Sequence, residues 1–168
     1  MTPGPAQPPA PVPAEWWDRL VARLIEALVF GVFYYILAIL LWSFCRSVGL
    51  LEVYGGRLPE VFAWFLTGLG YTAYEWTALS RSGRTFGKAI MRIRVTGFGG
   101  AVTGAGLLKR ALLYPGPVML MGIPVANPLA GMLVFALGLL ILINRPLLRG
   151  PADRVAGTRV VKDPGRPA

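Results

Sequence analysis

Apolar residues in this chain do not alternate with polar ones; they gather in long blocks. From 28 to 44 the sequence reads "LVFGVFYYILAILLWSF" without a charge, and from Ala111 to Asn144 a further 34 residues pass without one. Apolar runs of about 18 or more residues are long enough to cross a bilayer. The first block predicts a helix over 19–45. Asp18 is placed to cap it, and Trp16 and Trp17 suit the headgroup region. "VFAWFLTGLGYTAYEWTALS" predicts a second helix over 60–80, with Pro59 and Glu60 in its first turn. As one helix, the 34-residue block would be about 51 Å long, against a hydrocarbon core of about 30 Å. "GIPVANP" interrupts it, so it divides into short helices over 106–122 and 129–145. The third is bent at "PGP", Pro115 to Pro117, and is either a tilted or re-entrant element or a full crossing.

Between the second and third helices, "IMRIRVTG" is strand-like and "GFGG" is a turn signal. Strands are expected over 90–96 and, returning, over 101–103. A third, over 158–162, can pair with "RIRV". The expected fold is therefore an all-α membrane protein: a small four-helix transmembrane bundle with a small cytoplasmic β-hairpin or three-stranded element. Residues 1–14 are Pro-rich and uncharged and read as a disordered tail, without the basic start and apolar core of a signal peptide. Residues 15–168 form the membrane domain.

Composition strengthens the membrane reading. The chain is 55% hydrophobic and only 15% charged, against about 25% charged in soluble domains. The net charge of +9 lies in blocks between apolar segments rather than on one stripe. That pattern follows from membrane topology and argues against nucleic acid. With both termini in the cytoplasm, all of the 17 basic residues except Arg46 and Arg57 fall on the cytoplasmic side. Arginine dominates over lysine, and with the Ala, Gly and Pro load this suggests a GC-rich bacterial genome; the expected location is the bacterial plasma membrane. One cysteine and no histidine leave few ligands for metal sites and no His-based acid–base chemistry. No cofactor and no enzymatic activity are expected.

Candidate chemistry begins with "SGRTFGKA", Ser82 to Ala89. A phosphate loop needs four residues between its glycine and the Gly-Lys, then Ser or Thr. Gly83 and Gly87 have three between them, and Ala89 follows Lys88. Nucleotide binding is not expected. Four blocks, "RLVARLIEALV" at 19–29, "YEWTALSRSGRTFGKAIMRIRV" at 74–95, "LLKRALL" at 107–113 and "PADRVAGTRVV" at 151–161, resemble the RDD family of bacterial membrane proteins. The resemblance covers nearly the whole chain after the Pro-rich tail. It implies a multi-pass membrane protein with a conserved polar site, and transport has been proposed for the family. The family is named for one arginine and two aspartates. Arg19 matches the arginine, Glu26 stands where the first aspartate would be, and Asp153 matches the second.

Arg19, Arg23 and Glu26 share one face of the first helix, within about 60° of one another. Glu75 sits at a similar depth in the second. A carboxylate at mid-bilayer costs about 2.5–3.5 kcal/mol, so both acids should face other helices and find cations. Arg19, Arg23, Lys88, Arg110 and Arg154 are the available partners. Arg19, Arg23, Glu26, Glu75, Arg110 and Asp153 form the candidate ion or polar site; Gly83, Thr85, Gly87, Lys88 and Arg154 form its loop and interface. Two readings stand: an ion or proton site of a transporter, or an ion-pair network that fixes helix register in an accessory subunit. The expected partners are the bilayer, with its anionic headgroups, and a homo-oligomer or larger membrane complex.

Overall fold

The computed structural model describes residues 11–143 and 149–163. The elements are α1 (Trp16–Ser47), a 3-10 turn (Val53–Gly56), α2 (Leu58–Ser82), α3 (Phe86–Ile90), β1 (Ile93–Gly97), α4 (Gly104–Leu113), a second 3-10 turn (Gly116–Leu120), α5 (Ala126–Ile143), α6 (Pro151–Val155) and β2 (Thr158–Lys162).

α1 is 32 residues long, about 48 Å. Among the described residues it is the one helix both long and apolar enough to cross a membrane. It starts three residues before the expected position. Asp18 does not precede the helix; it lies inside the first turn and accepts the Glu15 N–H at 3.2 Å. Only Arg19, Ala22, Glu26 and Cys45 of α1 are buried, while Leu28, Val32, Phe33, Tyr35, Ile39 and Leu40 are exposed. A water-soluble helix buries its apolar face and exposes its charges. The inverted order here is the one that lipid favours, because hydrocarbon costs an apolar side chain nothing and an ion a great deal.

α2 buries one stripe at helical spacing: Pro59, Ala63, Thr67, Gly68, Tyr71, Thr72, Glu75 and Leu79. It meets α1 through stacked rings, Phe30 on Tyr71 and Tyr34 on Trp64, each pair with centroids 4.1 Å apart. Gly83 ends α2 with φ +69° and returns its N–H to Leu79 at 3.0 Å, a left-handed cap that a side chain would strain.

The expected third helix is not continuous. α4 stops at Leu113, because the residue before a proline is driven to extended backbone and Tyr114 adopts φ −157°, ψ 116°. The chain resumes as the Gly116–Leu120 turn. Together the two pieces run antiparallel to α2. Gly104 accepts from the Trp76 indole at 3.1 Å, and Met119 and Gly122 pack against Gly68 and Val61. Pro128 lies in the first turn of α5, where its missing N–H is not needed. Residues 144 and 145 of the expected fourth helix lie outside the described residues.

The β element differs in its partners. β1 pairs antiparallel with β2, Val95 opposite Val160, as the "RIRV" pairing predicts. The return strand at 101–103 is absent: Thr103 instead caps α4, its hydroxyl accepting the Gly106 N–H. The far edge of β2 is taken by the segment before α1. Ala14 donates to Val160 at 3.0 Å, and Lys162 donates to Val12 at 2.9 Å. Val12 to Ala14, expected as the end of a loose tail, are thus part of the fold; residues 1–10 lie outside the described residues. The stretch from Phe86 to Ile90, which lies between the expected second helix and the strand expected from residue 90, forms the single turn α3. A small core of Ala14, Ala22, Leu79, Ile93, Val95, Leu107 and Val160 seals this layer against the ends of α1, α2 and α4.

Candidate functional site

Among the described residues, the buried polar ones are Arg19, Glu26, Thr67, Thr72, Glu75, Thr85, Lys88, Arg110, Asp153 and Thr158. Most of them form one connected network where the helices meet the sheet. Glu75, fully buried, receives Arg23 as a fork: Nη1 to Oε2 at 2.5 Å and Nη2 to Oε1 at 2.8 Å. A planar guanidinium matches a carboxylate in this way, and a lysine could not. The same Arg23 Nη1 donates to Glu26 Oε2 at 2.9 Å, so one residue of α1 ties its own helix to α2.

Glu26 also accepts from the Tyr71 hydroxyl at 3.0 Å and from Thr85 through a short hydrogen bond. Lys88 completes the centre. Its Nζ stands 3.4 Å from Oε1 of both Glu26 and Glu75 and donates to Thr85 Oγ1 at 3.0 Å. The oxygens of Glu26, Glu75 and Thr85 therefore surround a resident ammonium. Burial, and then the charge of Arg23, hold the Lys88 amine below its ordinary value of 10.5, while Glu75 and Glu26 oppose this.

The second half gathers on Asp153. Arg110 makes a short bond to Oδ1, Arg19 Nη1 reaches Oδ2 at 3.3 Å, and the Gly150 N–H donates to Oδ2 at 3.3 Å. Arg110 also donates to Thr158 Oγ1 at 3.0 Å, and Arg19 donates to the Val160 carbonyl at 3.2 Å. Arg110 Nε lies 3.8 Å from Glu75, which joins the two halves.

Glycine geometry lets α3 deliver Lys88. A Cβ on Gly87 would sit 2.2 Å from the Ala22 carbonyl oxygen, so only glycine allows α3 to lie on α1. The break between α4 and the following turn opens beside the centre, with Arg23 over the Tyr114 ring, 4.3 Å from its centroid.

The structure brings together Arg19, Arg23, Glu26, Glu75, Thr85, Lys88, Arg110 and Asp153, with Gly83 and Gly87 shaping the loop. Arg154, expected as a cation for the acids, is exposed and outside the network; it points away from the face on which Asp153 is buried. Tyr71 and Thr158 were not anticipated. Tyr71 lies one helical turn before Glu75, a spacing that signals a shared face. Thr158 is brought in only by the pairing of β2. Among the described residues no three Cys, Asp or Glu side chains are grouped to hold a metal ion.

Residues 13–157 match the RDD family, and the chain belongs to that family. It is a family of membrane proteins, which agrees with the length and apolar character of α1. No curated protein and no solved structure matches this chain. Arg19 and Asp153, two of the residues on which the resemblance to the family rests, pair directly, and Glu26 occupies the other half of the network.

Proposed function

We propose that this is a multi-pass, non-enzymatic protein of a bacterial plasma membrane, with both termini cytoplasmic, and that it is a transport-associated component. Its working centre is the Glu26–Glu75 pair. The observation that carries this reading is the sharing of Arg23 and Lys88 between two buried carboxylates on different helices. A shared cation can change partners when a proton or small cation arrives, so neither carboxylate is left alone in a medium where that is costly. The discontinuity at Tyr114 supports the same reading, since broken helices beside polar groups are a recurring feature of transporters.

Four crossing elements fit this proposal: α1, α2, the broken α4 with its turn, and α5. Among the described residues, Arg46 in the last turn of α1 and Arg57 at the start of α2 are the basic residues at the opposite end from the network. That asymmetry supports a cytoplasmic network. A chain this small makes a thin pathway, so the transporting form is a homo-oligomer or part of a larger membrane complex.

A second reading has its own observation. Glu26 and Glu75 already have cationic partners on α1, α3 and α4, as a permanent structural clamp in an accessory or scaffold subunit would. Cation and proton flux into proteoliposomes separates the two. Flux in the parent that Glu26→Gln and Glu75→Gln each abolish supports the transporter. Absence of flux for every cation tested, with a co-purifying membrane complex, supports the accessory subunit.

A further inference from the structure

A cavity of about 310 Å³ opens between α1 and α5 beside the network. Its base is polar: Arg19, Arg23, Lys88 and Arg110 line it, and Asp153 is the one carboxylate among the described residues that does so. Its walls are apolar, with Leu20, Leu24 and Ala27 from α1 facing Val134, Phe135 and Leu139 from α5. Leu24 and Phe135 are more than half exposed, so the slot opens onto the surface that α1 presents to lipid.

Charge decides what fits the base. The network holds four cations, Arg19, Arg23, Lys88 and Arg110, against three carboxylates, Glu26, Glu75 and Asp153. The other acids are engaged or placed elsewhere. Glu15 and Asp18 face Lys162, Asp18 also adjoining Arg19; Asp163 pairs with Arg84, Glu52 lies in the loop after α1 and Glu60 in the first turn of α2. One positive charge in excess, withdrawn from water, favours an anionic ligand. Arg23 is the network cation that keeps appreciable exposure, 19% of its side chain, and it lines the cavity.

We infer that this cavity binds one anionic phospholipid, its phosphate on the guanidinium-rich base and an acyl chain between α1 and α5. The site differs from the diffuse attraction of a basic surface for headgroups, because it has walls and takes a single molecule. It does not depend on whether the chain moves an ion. A free phosphate shares the chemistry of the base but gains nothing from the walls.

Native mass spectrometry of the full chain in a non-ionic detergent tests the assignment, with phosphatidylglycerol, phosphatidylcholine and inorganic phosphate as probes. The expected result is one phosphatidylglycerol retained per chain, phosphatidylcholine held about tenfold or more weakly, and no displacement by inorganic phosphate. Gly138→Phe is the diagnostic variant. Gly138 lines the cavity on α5, and a Cβ there meets nothing within 4 Å, so a side chain can be added and its ring takes up space in the slot. It should lower phosphatidylglycerol retention by about tenfold, and Arg23→Gln should lower it as well. Equal retention of the two lipids overturns the inference, as does displacement by inorganic phosphate, or full binding by a folded Gly138→Phe. The parent's preference between the two lipids decides the matter if either variant does not fold.

Discussion

Glu75→Gln is the sharpest perturbation of the network. Glu75 is fully buried and takes two bonds from Arg23, one from Lys88 and a longer contact from Arg110. Glutamine keeps the shape but removes the charge, and its NH₂ group faces donors. The network then holds four cations against two carboxylates, Glu26 and Asp153. Removing one partner of a buried ion pair costs about 3–5 kcal/mol, because the remaining charge stays desolvated. An exposed pair supplies the control: Arg84 and Asp163 sit 3.1 Å apart with 48% and 20% of their side chains exposed, and such pairs contribute about 0–1 kcal/mol. Reversible unfolding in mixed micelles, followed by tryptophan emission, reads both variants. The expected result is a loss of about 3 kcal/mol or more for Glu75→Gln and about 1 kcal/mol or less for Arg84→Ala. Losses of similar size would show that the network is solvated and that burial does not strengthen its ion pairs.

Gly87→Ala should destabilise the fold by about 1–3 kcal/mol, because its methyl meets the Ala22 carbonyl and pushes α3, with Lys88, off α1; the same unfolding assay checks it. Arg154→Ala should change stability by no more than about 0.5 kcal/mol, because the side chain is exposed outside the network. The Lys162–Glu15 pair, 2.7 Å, should make the docking of Val12 to Ala14 pH-dependent. The hydrogen bond with Glu15 raises the Lys162 pKa above 10.5, so its contribution is complete below 10.5 and lost as pH rises through the higher folded value. The hydrogen bond with Lys162 lowers Glu15 below 4.5, so its contribution is complete above 4.5 and lost as pH falls through the lower folded value. Exchange protection of the Lys162 amide should therefore hold between pH 4.5 and 10.5 and weaken outside it, and Lys162→Met should remove both edges.

Much of this arrangement was legible from residue type and spacing. The empty apolar run fixed α1, and Pro59 with Glu60 fixed the start of α2. The common face of Arg23 and Glu26 follows from helical geometry alone. The cost of a charge in lipid required partners for Glu26 and Glu75, and Arg23, Lys88 and Arg110 supply them. What escaped the sequence is long-range pairing. Ala14 meets Val160 across nearly the whole chain, and no local signal in a Pro-rich segment announces an edge partner. Thr103 reads as strand by composition, but its hydroxyl captures a helix N–H, and that local bond won. Arg154 and Asp153 are neighbours in sequence, yet the turn of α6 sends one inward and the other to solvent.

The network turns on one contact, the guanidinium of Arg23 on α1 clamping the carboxylate of Glu75 on α2. A double-mutant cycle between Arg23 and Glu75, using Arg23→Met and Glu75→Gln, measures that contact in isolation. If the fork is made, the two single losses together exceed the loss in the double variant by about 1 kcal/mol or more. Losses that add within about 0.3–0.5 kcal/mol would mean that Arg23 and Glu75 do not touch, and would contradict the site.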